Sequence, residues 1–157
     1  MDRALGISRD AARGAAPEAT LITRRRLPHP AATVFAAFSD PAVLGRWWGP
    51  NGFTTRFEQF AFETGARWVY VMEGPNGARY PNEAEIRVLH PPTQLVLAHV
   101  SAPRFELTVT CREREGATEV EWVQVFEDPA VAARLRHVAE PANEENLDRL
   151  AAVLATR

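Results

Sequence analysis

The chain opens on a strand-forming run at residues 19–27, where apolar positions flank Arg24-Arg25-Arg26, and the turn chemistry of Pro28-His29-Pro30 ends it. Pro30 suits the first turn of a helix, where its missing N–H would have no partner anyway. Val34, Phe35 and Phe38 then recur at helical spacing. Ser39-Asp40-Pro41 predicts a second short helix, with Asp40 as cap, Pro41 in the first turn, and Leu44, Trp47 and Trp48 as its apolar side. Gly49-Pro50-Asn51-Gly52 stops it.

From there the pattern changes to period two. Strands are predicted at residues 53–63, 67–73, 82–90, 94–100, 104–114 and 118–126, with turns at Thr64-Gly65, Gly74-Pro75-Asn76-Gly77, Pro91-Pro92 and Glu115-Gly116-Ala117. Trp68, Tyr70 and Met72 share a face, as do Leu95, Leu97 and His99, and Val120, Trp122, Gln124 and Phe126. Strands this apolar need a packing partner. Asp128-Pro129 repeats the cap-plus-proline signature before a stripe of Val131, Leu135 and Val138. Pro141 is expected to kink or break that helix near Glu140, with Asn143 capping a restart that carries Leu147, Leu150, Ala151 and Leu154. The order is strand, two helices, six strands, helix: an α+β chain of about seven antiparallel strands.

At 157 residues, with 46% hydrophobic and 24% charged residues, the chain has the composition of one globular domain. Residues 1–18 are read as a tail, in which a short helix over 4–16 is an option, and residues 19–157 as the domain. The tail has no apolar signal-peptide core, and no apolar run reaches the ~18–20 residues of a membrane span, so a cytoplasmic location without membrane attachment is expected. A net charge of −2 leaves no footprint for nucleic acid. The lone Cys111 forms no internal disulfide and reads as a small buried hydrophobe.

Several ordered blocks carry a family likeness. Val34-Phe35 is followed by Ser39-Asp40-Pro41, then Arg46-Trp47-Trp48-Gly49-Pro50 and Gly52-Phe53. Gly65, Trp68 and Gly74-Pro75-Asn76-Gly77 come next, then Pro91-Pro92 with Leu95, and Leu147-Asp148-Arg149-Leu150. The set resembles the activator-of-heat-shock-protein-90-ATPase-like family of the START-like (SRPBCC) superfamily, over about residues 20–155. The resemblance implies a helix-grip fold: a twisted antiparallel sheet wrapped around the long C-terminal helix, with space between them for an apolar ligand. It also implies a chaperone as a potential partner, although residues 1–18 are too few to hold the separate chaperone-binding domain of eukaryotic activators. This sequence departs from the family pattern at Ala61, Ala66, Val88, His99 and Asn143, losing carboxylates and gaining polar groups.

No metal site is legible, since His29, His90, His99 and His137 lack ligand spacing, and no nucleotide or nucleophile-elbow motif is present. No cofactor is expected. The candidate ligand-binding residues are Trp47, Trp68, Tyr70, Met72, Tyr80, Ile86, Leu97, His99, Phe105, Trp122, Gln124, Asn143 and Leu150. The aromatic rings among them either wall a pocket or fill a core. His99 points inward by parity, and Gln124, if buried, needs partners. The first functional reading is a non-catalytic binder of a small hydrophobic molecule. The others are a cyclase- or hydrolase-like enzyme using His99 or Tyr80 as acid/base, and a stress or chaperone partner acting through its surface. A homodimer stays open.

Overall fold

The structure, a computed structural model, describes residues 17–156. The tail reading and its optional helix over 4–16 therefore lie outside the described residues, apart from a single 3-10 turn at Pro17–Ala19. Seven strands follow one another as β1 (Thr20–Leu27), β2 (Thr54–Gln59), β3 (Arg67–Glu73), β4 (Arg79–His90), β5 (Gln94–His99), β6 (Phe105–Arg114) and β7 (Ala117–Phe126). Three helices accompany them: α1 (Ala31–Ala36) and α2 (Pro41–Trp47) between β1 and β2, and α3 (Pro129–Ala155) at the end. All pairings are antiparallel, in the order β1-β7-β6-β5-β4-β3-β2. The chain thus leaves one edge of the sheet at β1 and re-enters at the other edge at β2. The two short helices make that crossing, α1 against β6 and β7, α2 against β2.

Local chemistry places these elements. Asp40 accepts from the Ala42 N–H at 2.9 Å, and Asp128 accepts from the Ala130 N–H at 2.9 Å, each followed by a proline that needs no partner at the first helical position. Glu115 and Gly116, both at positive φ, close the β6–β7 hairpin as a two-residue turn whose twist suits the strands. Gly45 is required by space: a Cβ there would stand 2.5 Å from the Thr55 carbonyl oxygen, so α2 lies close against β2.

Four expectations need correction. α3 runs unbroken through Pro141, which is exposed, and solvent can serve the carbonyl that its missing N–H leaves free. Asn143 accordingly caps nothing. The stripe on the first half of α3 is Val131, Ala132, Leu135 and Ala139, packed near Leu21 and Phe126, while Val138 is exposed. β2 ends at Gln59, where Phe60 turns in to stack on Trp68 and Phe62 stacks on Phe60 in turn. β4 begins at Arg79, extending past β5, so Pro81 pairs with β3 alone and tolerates its lack of an N–H.

The core lies between the concave sheet face, α1, α2 and the second half of α3, with Leu147, Leu150 and Leu154 fully buried. Trp47 is its hub, edge-on to Phe38 at 4.9 Å and to Trp48 at 5.6 Å, with Trp122 at 6.4 Å.

Candidate functional site

The second half of α3 fastens the turn that follows α2. The buried Asn146 donates from Nδ2 to the Trp47 carbonyl at 2.6 Å and accepts the Gly49 N–H at 3.2 Å. Arg149 donates to the carbonyls of Arg46, Gly49 and Pro50, each at 2.9 Å, and so serves the open C-terminal end of α2. Partial burial lowers the Arg149 pKa from its ordinary value. Trp48, Gly49 and Pro50 are thereby held as one rim of a cleft of about 210 Å³.

The cleft sits at one end of the concave sheet face, beneath the middle of α3. Register partners line it in sequence: Tyr70 with Asn82, His99 with Phe105, and Leu107 with Gln124. Met72, Pro103 and Trp122 complete the sheet side, and Ala142, Asn143 and Asn146 the helix side. Of the sequence candidates, Tyr70, Met72, His99, Phe105, Trp122, Gln124 and Asn143 therefore share this cleft.

The other candidates do not. Trp68, Ile86 and Leu97 face the same side of the sheet one or two strand positions further along, where the core is solid, and each is buried. Trp68 donates its indole N–H to the Ala61 carbonyl at 3.1 Å. Trp47 spends its indole N–H on the Ala37 carbonyl at 3.0 Å, behind Trp48. Leu150 lies one helical turn beyond Asn146, over the core. Tyr80 is 48% exposed and packs beside Phe53 on the stretch of β4 that outruns β5. Asn82, Trp48 and Asn146 were missed as site residues; Trp48 was legible as part of the aromatic set, whereas the two asparagines carry no pattern of their own.

The polar groups of the cleft are mutually engaged. Asn143 Nδ2 donates to Gln124 Oε1 at 3.0 Å. His99 stacks flat on Phe105, with ring centroids 4.4 Å apart. Its Nδ1 lies 2.7 Å from the Pro103 carbonyl, which only accepts, so Nδ1 carries hydrogen. Its Nε2, the accepting nitrogen of the neutral ring, lies 2.7 Å from Asn82 Oδ1, so this contact is a hydrogen bond only when the Asn82 amide presents its N–H end or the ring takes a second proton. Burial disfavours the imidazolium and, against the backbone acceptors at Pro103 and Ser101, brings the His99 pKa below its ordinary 6.5. Burial also raises the Tyr70 phenol to about 12, offset in part by the Trp48 indole at its hydroxyl.

The His99 shift has a testable sign. As pH falls below about 6.5, the unfolded imidazole takes up a proton that the folded one resists, so the unfolded state binds more protons and stability falls. The urea midpoint of the wild-type chain is expected to drop between pH 7 and pH 5 by more than that of His99→Gln. Equal drops in the two proteins would remove His99 as the source.

Elsewhere, burial pushes the Cys111 thiol up to about 12, which makes it a packing group rather than a nucleophile. Among the described residues no His, Cys, Asp and Glu cluster could hold a metal ion, and no helix is long and apolar enough to cross a membrane.

A family model described as Activator of Hsp90 ATPase homolog 1-like protein matches residues 28–155. A comparison with curated proteins finds no match. Among solved structures, the chain is similar to a protein from Arthrobacter aurescens at 22% identity and a TM-score of 0.83, over 90% of this chain and 88% of that one. A protein from Nitrosomonas europaea is 15% identical with a TM-score of 0.81, over 90% and 97% of the two chains. A Silicibacter pomeroyi protein that bears the family's name is 25% identical with a TM-score of 0.71, over 88% and 99%. The seven-stranded antiparallel sheet with its long C-terminal helix is the helix-grip fold expected from the sequence.

Proposed function

The chain belongs to the Activator of Hsp90 ATPase homolog 1-like family, and from that premise we propose that it is a binding protein for a small apolar ligand, held in the cleft at the open end of the sheet. The observation that carries this reading is the character of the walls. Met72, Phe105, Leu107 and Trp122 offer apolar surface, while Gln124 and Asn143 stand among them as a hydrogen-bonded pair. Ligand sites combine a mostly apolar lining with a few placed polar groups in this way.

Binding has more support than catalysis. Each ring nitrogen of His99 stands 2.7 Å from a protein oxygen, Nδ1 donating to the Pro103 carbonyl and Nε2 against Asn82, so neither is placed to reach a substrate proton directly. Tyr80, the other acid/base candidate, stands off the cleft. Action through a surface on a chaperone has less support as well, since the large apolar side chains exposed among the described residues, Ile22, Tyr80 and Val138, sit on three different elements.

Native mass spectrometry of the protein purified from its own host tests the reading. The wild-type chain is expected to carry a non-covalent small-molecule adduct that Ala142→Trp, which fills the cleft from α3, no longer retains. An adduct kept equally by both proteins, or none in either, overturns the assignment.

A further inference from the structure

The cleft holds more information than its apolar lining, because its polar atoms have fixed roles. Charge comes first. Among the described residues, no Lys, Arg, Asp or Glu lines the cleft. The nearby guanidiniums are turned elsewhere: Arg149 to three backbone carbonyls, and Arg25 to Glu144 at 2.9 Å and Asp148 at 2.7 Å. His99 is neutral, with Nδ1 donating to Pro103 and Nε2 against Asn82, so it supplies no charge either. A charged ligand would lose hydration here and gain no counter-ion.

The hydrogen-bonding groups are equally specific. Gln124 Oε1 accepts from Asn143, so the end of its amide left for a ligand is Nε2, which only donates. Tyr70 lines the cleft, and its phenol, kept un-ionised by burial, has a hydrogen to give. Asn143 uses one Nδ2 hydrogen on Gln124 and keeps the other, together with Oδ1 as an acceptor. The donors of Tyr70, Gln124 and Asn143 suit an oxygen that accepts, and a volume of about 210 Å³ falls below the ~300–1,000 Å³ of pockets for drug-sized ligands.

We propose that the cleft selects an uncharged ligand of one or two rings that carries a carbonyl or hydroxyl oxygen, with Tyr70 and Gln124 as its donors. This rests on the reading of the cleft as a ligand site. An acid of the same skeleton is rejected because nothing neutralises it, and a hydrocarbon binds less well because it displaces water from these donors and gives them no acceptor.

Titration of the full chain, followed by chemical shifts and by calorimetry, tests this with one skeleton in five forms: indane, 1-indanone, 1-indanol, indane-1-carboxylate and 1-aminoindane. The ketone and alcohol are expected to bind about 3–10-fold more tightly than indane for each hydrogen bond made, and the carboxylate and ammonium more weakly than indane. Tyr70→Phe is expected to narrow the gap between indanone and indane while indane affinity holds. Gln124→Leu serves as the second variant should Tyr70→Phe fail to fold. Indane binding as tightly as indanone, or the carboxylate or amine binding more tightly than indane, overturns the inference and leaves the ligand reading standing. If none of the five binds the folded chain, both fall.

Discussion

Trp47→Ala is expected to lower the free energy of unfolding by about 3–5 kcal/mol, the range for deleting a fully buried large aromatic side chain. The indole is wholly buried and meets Phe38, Trp48 and Trp122 at their edges or faces. Its loss leaves a void bounded by rigid rings, which collapse poorly onto small gaps. It also strands the Ala37 carbonyl, itself buried, which now accepts the indole N–H. Trp47→Phe separates the two effects, since it refills most of the space but leaves the carbonyl unserved, at about 1–3 kcal/mol. Urea unfolding at unchanged m-value reads both numbers. A loss below about 1 kcal/mol for the alanine variant would mean that α2 is an ornament on the sheet rather than part of its core.

The second large effect is expected at Asn146. Its amide serves two backbone groups at once, the Trp47 carbonyl and the Gly49 N–H. Asn146→Ala leaves both in an enclosed place at about 1–3 kcal/mol each, and it frees the turn that forms the cleft rim. The neighbouring Asp148→Ala removes only an exposed partner of Arg25, worth about 0.2–1 kcal/mol, and is the control. Equal urea midpoints for the two variants would show that Asn146 does not hold the turn. Ligand affinity is expected to fall along with stability in Asn146→Ala, because Trp48, Gly49 and Pro50 line the cleft.

Most of the fold was legible because its signals are local. The Asp-Pro pairs at 40–41 and 128–129 mark helix starts by chemistry that involves only the next few residues. Alternation at Trp68, Tyr70 and Met72 marks a strand with one buried face. What alternation does not carry is depth along that face. Tyr70 and Trp68 share a parity, yet one lines the cleft and the other lies in solid core, because the difference depends on where α3 crosses the sheet. The same holds for His99 against Leu97, and for Asn82 against Ile86 and Tyr80. Asn146 and Arg149 were illegible for another reason. Their partners are main-chain atoms of residues 46–50, which have no side-chain signature to match. Pro141 misled because a proline rule says what the local backbone loses, and not that a helix anchored at both ends can bear the loss.

A sheet with two outer strands offers two rows of unpaired backbone to any other extended chain, and each is blunted differently. β1 is held under α3, tied through Arg25 to Glu144 and Asp148. β2 is short, carries Arg56 and Glu58, and shifts register between Phe57 and Gln59. Short, charged and bulged edges make poor templates for intermolecular strand addition. The departure that turns Phe60 onto Trp68 thus has a second effect: it shortens one of the two stretches of backbone along which copies of the chain could pair.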